Sequence, residues 1–133
     1  MNEHESTNGI DPFLSYDEAF GWLLGVHGAM IRIIENREFH WLMSMAASDA
    51  MRCADKALRL IARRDVGGCV GYEAELRSRA KDYLRGKGVT SSGSVSAHKL
   101  RAARYLAAWF VSVVASILEA IDHDREISEG ETK

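Results

Sequence analysis

The stretch REFHWLMSMAASDAMRCADKALRLIARR, residues 37–64, decides how this chain is read. Phe39, Leu42, Met43, Ala46, Ala50, Cys53, Ala54, Ala57 and Ile61 recur in it every three or four residues. Apolar residues at that spacing line one side of an α-helix. The periodicity predicts an amphipathic helix from about Arg37 to Arg64. Arg52, Arg59, Arg63 and Arg64 lie off the apolar stripe, and the last of them suit the negative end of the helix dipole.

Working outward toward the N-terminus, Asn36 marks a short break. Before it, Ser15-Tyr16-Asp17-Glu18 fits a capping box, in which Ser caps the amide three residues on and Glu reaches back. A first helix should therefore start after Ser15. Its expected stripe is Phe20, Leu23, Leu24, His27, Ile31 and Ile34. Gly21, Gly25 and Gly28 share an adjoining face, and each costs a helix about 1 kcal/mol against alanine. Three on one side suggest that another backbone comes close, from this chain or from a second copy. Residues 1–14, polar and closed by Asp11-Pro12, read as a mobile leader.

Toward the C-terminus, Asp65 to Gly71 is rich in glycine and reads as a loop. A third helix should cover Tyr72 to Arg85, burying Leu76, Ala80, Tyr83 and Leu84, with Gly86 placed for a left-handed cap. Gly86 to Ser94 reads as a second loop. A fourth helix begins near Ser94 or Ser96 and reaches about Asp124, with Leu100, Ala103, Ala107, Phe110, Val114, Ile117 and Ile121 as its stripe. Tyr105 to Leu118 contains no charge. Fourteen residues are too few for a membrane span, which needs about 20. A helix apolar on all sides is central in its bundle or forms a seam between two copies. Residues 125–133 read as an acidic tail.

Composition agrees with this reading. The chain has 133 residues and a single proline, Pro12, so nothing after it breaks a helix in that way. Hydrophobic residues make up 47% and charged residues 27%, which excludes a disordered chain, a collagen and a disulfide scaffold. The length suits one domain, residues 15–124. Cys53 and Cys69 form no C-x-x-C pair, and the first twenty residues lack a basic and apolar signal segment, which fits a reduced, cytoplasmic protein. The expected fold is all-α, an irregular four-helix bundle with the last helix at its centre, completed by homodimerisation.

Charge is distributed unevenly. Residues 52–104 hold thirteen Lys or Arg against five Asp or Glu, a balance of +8, while the remainder balances to −10, giving the formal net charge of −2. Arg52, Arg59 and Arg63 recur on one side of the second helix, and Arg77, Lys81 and Arg85 on one side of the third. A short connection would make these one basic face. That face suits a protein partner with an acidic surface, or nucleic acid.

Catalytic patterns are weak. Gly67-Gly68-Cys69-Val70-Gly71 has the spacing of a nucleophile elbow, but a helix precedes it where the elbow needs a strand. His4, His27, His40, His98 and His123 form no H-x-x-x-H pair, and His27 falls on a core stripe. Glu119, Asp122, His123 and Glu126 would share one helical face, the donor chemistry of a divalent metal, without matching carboxylates on the other helices. Gly86 to Gly93 is no phosphate-binding loop of the G-x-x-x-x-G-K-[ST] order. We therefore expect no cofactor, no metal, no membrane association and no enzymatic activity. The expectation that remains is a binding protein acting through protein–protein contacts. An adaptor fits, as does an inhibitor of the kind found in phage–host or toxin–immunity conflict. A nucleic-acid-binding regulator using the same face is the alternative.

Overall fold

Ser15 opens the first helix as its spacing requires. Its hydroxyl accepts the Glu18 amide at 3.0 Å, and the Glu18 carboxylate accepts the Ser15 amide at 2.8 Å, closing the capping box. The computed structural model describes residues 13–90 and 95–124. Among them are four α-helices: α1 (Tyr16–Glu35), α2 (Trp41–Ala62), α3 (Val66–Leu84) and α4 (Ala97–Glu119). The only extended pairing among these residues is one bridge between Leu14 and Ile121. The expected leader falls outside the described residues except for Phe13 and Leu14, and the acidic tail falls outside entirely. Leu14 donates to the Ala120 carbonyl and accepts from Asp122, each at 2.8 Å, which clips the start of α1 to the end of α4.

The fold is all-α, a four-helix bundle with the last helix central. α4 packs along both α3 and α2 and also touches α1, while α1 packs mainly on α2. α1 and α3 thus flank an α2–α4 pair. Small side chains permit this: Ala46, Ala47, Ala50, Ala54 and Ala57 of α2 and Ala103, Ala107 and Ala115 of α4 are fully buried. Larger side chains fill the gaps, with Leu23, Met30, Leu42, Ile61, Leu76, Val111 and Val114 showing no exposure. Burying a side chain of this size stabilises by about 1.5–3 kcal/mol. An exposed ion pair contributes about 0–1 kcal/mol. Packing therefore holds the bundle.

Three boundaries differ from the sequence reading. α2 starts at Trp41, because His40 takes the cap position and its Nδ1 accepts the Leu42 amide at 3.2 Å. Phe39 stays outside, 45% exposed. α4 ends at Glu119 rather than near Asp124, because Ile121 leaves the helix to pair with Leu14. The largest difference is at α3, which begins at Val66. Asp65 caps it, accepting the Gly68 amide at 2.8 Å, so Gly67 to Gly71 is helix rather than loop. Gly68 is required there, since a Cβ would stand 2.5 Å from the Asp65 carboxylate and 2.8 Å from the Leu60 side chain. In α1 the buried line is Tyr16, Ala19, Leu23 and Met30, and Leu24 faces solvent at 51% exposure.

Two sequence signals agree with the structure. Gly86 adopts φ +94°, and the Gly86 and Lys87 amides return to the Tyr83 and Asp82 carbonyls, the paired bonds of a left-handed helix stop. Ser96 caps α4 through the Lys99 amide. The segment after Gly86 is anchored by the burial of Val89, whose carbonyl accepts Arg104 Nε at 3.0 Å.

Candidate functional site

The regular turn of α2 places its cations. With the apolar stripe buried against α1 and α4, Arg52, Lys56, Arg59 and Arg63 fall at steps of four, three and four residues on the outer side, and all four are exposed. The row is about 16 Å long at 1.5 Å per residue. Arg52 Nη1 lies 3.7 Å from Asp49 Oδ1, too far for a strong pair. Lys56 Nζ stands over the Tyr72 ring of α3, 4.6 Å from its centroid. Arg59 and Arg63 make no ion pair among the described residues.

The α3 cations do not extend this row. Arg77 points toward α4, donating Nε to Glu73 at 2.8 Å and Nη2 to Glu119 at 2.9 Å. Lys81 and Arg85 lie four and eight residues on, along the same shoulder of α3, and are exposed. Arg79, two residues from Arg77, turns to the opposite shoulder and reaches α2, where its Nη1 donates to Cys53 Sγ at 3.2 Å. The six sequence-designated residues therefore fall into two strips: Arg52, Arg59 and Arg63 on α2, and Arg77, Lys81 and Arg85 on the far side of α3. Lys56 and Arg79 are the cations that adjoin at the α2–α3 edge. Lys56 was legible as the helical neighbour of Arg52 and Arg59. Arg79 was not, because nothing in the sequence says which shoulder of α3 meets α2.

Beneath this edge lies a polar cluster. Tyr83 donates its hydroxyl to Asp49, and Cys53 donates weakly to the Asp49 carbonyl while accepting from Arg79. Burial, together with the hydrogen bond to Asp49, pushes the Tyr83 hydroxyl well above its ordinary pKa. Burial and the neighbouring Cys53 do the same to Tyr72. Both phenols stay protonated across the physiological range, and the Tyr83 hydroxyl, donating to Asp49, ties α3 to α2.

The residues weighed for catalysis or metal binding are dispersed. Cys69 sits inside α3, 1% exposed, and burial with the nearby Asp65 carboxylate pushes its thiol up to about 11, the reverse of an activated nucleophile. Both cysteines are free thiols. His27 bonds Asp55 at 2.9 Å across the α1–α2 contact. Because α4 stops at Glu119, the helical spacing of Glu119, Asp122 and His123 is broken. Glu119 goes to Arg77 and His123 to the Tyr16 hydroxyl, while Glu126 lies outside the described residues. No cluster of metal-ligating side chains occurs among the described residues.

A second surface was only half visible in the sequence. Leu14, Trp22 and Val26 on the α1 side and Trp109, Val113, Ser116 and Ile117 on the α4 side line an apolar groove of about 570 Å³. Trp22 and Trp109 are 64% and 61% exposed. The Tyr105–Leu118 run signalled the α4 wall, but nothing in the pattern of α1 marked Trp22. A Cβ at Gly21, Gly25 or Gly28 would meet nothing within 4 Å, so no close backbone covers those glycines among the described residues. α4 is long and apolar enough to cross a membrane by length and composition, with half of its most apolar window buried inside the fold.

Comparison with known proteins finds no matching family, no similar curated protein and no similar solved structure. The functional reading therefore rests on these surfaces.

Proposed function

We propose that this chain is a non-enzymatic binding protein that acts through protein–protein contacts, as an adaptor or inhibitor, and that the exposed basic row of α2 receives an acidic partner surface. The observation that carries this reading is the line Arg52, Lys56, Arg59 and Arg63, with Arg59 and Arg63 lacking an ion pair among the described residues. A row about 16 Å long exceeds any small anion and matches an extended acidic surface. Lys81 and Arg85 offer a second strip for the same partner to reach. Arg77 contributes less, because its charge is offset by Glu73 and Glu119, although pairs this exposed can be exchanged at a cost of about 1 kcal/mol or less.

Nucleic acid is the second reading, supported by the same cations, which succeed one another at a spacing of about 6 Å along α2. Affinity capture on the full chain, with and without nuclease, separates the two. A specific protein that survives nuclease and is lost with Arg59→Glu/Arg63→Glu supports the first reading. Recovery of nucleic acid, with the captured proteins released by nuclease, assigns the row to phosphates instead. Binding unchanged in that double variant removes the row from either role.

A further inference from the structure

The outer face of α4 has a regularity that the basic row does not explain. Ala102, Tyr105, Trp109, Ser112, Ser116 and Glu119 follow one another at alternating steps of three and four residues, the seam spacing of paired helices. Tyr105 and Trp109 are 58% and 61% exposed, so the described residues leave these two seam positions uncovered. Within it the two aromatic residues, Tyr105 and Trp109, precede the two serines, Ser112 and Ser116. The charges at its two ends are opposite: Lys99 and Arg101 at the start, Glu119 at the end. That polarity runs against the helix dipole, which favours acids at the first turn and bases at the last.

We infer that a second copy of this chain covers the α1–α4 face, its α4 lying antiparallel on the first about a two-fold axis at Phe110–Val111. In that register every facing pair of residue numbers has one constant sum. Trp109 then packs over the partner's Ser112, and Tyr105 over the partner's Ser116, large on small in each case. The same register sets Ala102 opposite the partner's Glu119 and brings Arg101 beside that carboxylate, which within its own chain already accepts from Arg77. The charge polarity of each helix is thereby offset by its mate at both ends. A parallel pairing would instead stack tryptophan on tryptophan and acid on acid.

Trp22 and the groove behind it widen the contact to two helices per copy. Gly25, one turn along α1 from Trp22, leaves open space for the partner. A face about 30 Å long and two helices wide covers about 600 Å² on each copy, or about 1,200 Å² in all, the lower bound of stable specific interfaces. A bilayer fits the face less well, since half of the apolar window of α4 is already buried in the fold and its far end is acidic.

Sedimentation equilibrium of the full chain at up to about 200 μM tests the inference, since mass action populates a dimer as concentration rises. A dimer is expected. Trp109→Ser should weaken it about thirtyfold or more. Arg101→Glu should weaken it about tenfold. Both side chains are exposed, so helicity by circular dichroism should not change. For the register, Tyr105→Cys/Ser116→Cys should give a covalent dimer on mild oxidation. Tyr105→Cys by itself should not, because its two copies would stand about 16 Å apart, beyond disulfide reach. A monomer at the highest concentration overturns the inference. So does a dimer indifferent to Trp109→Ser and Arg101→Glu, or equal cross-linking through Tyr105→Cys by itself. Co-sedimentation of a monomeric chain with vesicles, lost in Trp109→Ser and kept in Arg59→Glu/Arg63→Glu, would also overturn it and assign the face to lipid.

Discussion

Two short glycine-rich segments, Gly67 to Gly71 and Gly86 to Gly88, look alike on the page and behave oppositely in the fold. The first is the opening of α3, and the second is the stop after it. Asp65 makes the difference at the first, capping the Gly68 amide while its carboxylate occupies the space where a Cβ would be. Positive φ makes the difference at the second, at +94° for Gly86 and +95° for Gly88, with the Tyr83 ring pressed against Gly88. The lesson is that glycine reports a constraint without naming it. A close side chain and a left-handed backbone select the same residue for unrelated reasons.

Four substitution and labelling experiments probe the two glycine segments. The largest effect should appear at Cys69, the thiol inside the first segment. If that segment is helix, the thiol, pushed up to about 11 from an ordinary 9.0, alkylates about a hundredfold more slowly at neutral pH than a free thiol. Its rate should then climb with pH toward 11. Folding stability should move the other way. The folded thiol keeps its proton above the pH at which the unfolded thiol releases it, so stability present below pH 9 falls as pH rises through that window. Rapid alkylation at pH 7 in the native state would return Gly67–Gly71 to a loop.

Next in size is Gly88→Ala. A Cβ there would stand 2.6 Å from the buried Tyr83 ring, on a backbone that L-residues rarely adopt. We expect a loss of about 2–3 kcal/mol in urea unfolding. Asp65→Ala removes the α3 cap and should cost about 1 kcal/mol, with amide exchange rising first at Gly68. The smallest change should be a gain. Gly71→Ala adds a Cβ to an exposed helical position with nothing within 4 Å, which should stabilise by about 0.5–1 kcal/mol. A loss at Gly71→Ala would mean that this position is not helical, and the contrast between the two segments would fail.

The two surfaces repeat the contrast at larger scale. The α2 row was legible because helical spacing converts Arg52, Arg59 and Arg63 directly into one side of a helix whose other side is apolar. The α3 contribution was not. Arg77 and Arg79 are equivalent in sequence, and only the packing of α3 between α4 and α2 sends one to Glu119 and the other to Cys53. The same holds for the acidic cluster near the C-terminus. Its helical spacing is real in the sequence, but the pairing of Ile121 with Leu14, more than a hundred residues away, ends the helix before the cluster forms.

Local sequence encodes the helical class, the capping box at Ser15, the break at Asn36, the stop at Gly86 and the apolar character of α4. Each follows from neighbours within about one helical turn, the range over which backbone hydrogen bonds and side-chain spacing act. Long-range packing set which shoulder of α3 faces α2, where α4 ends, and that Trp22 and Trp109 share an open groove. Those outcomes depend on contacts between residues far apart in the chain. Helical periodicity names the face a residue occupies on its own helix, but it carries no information about which other helix that face will meet.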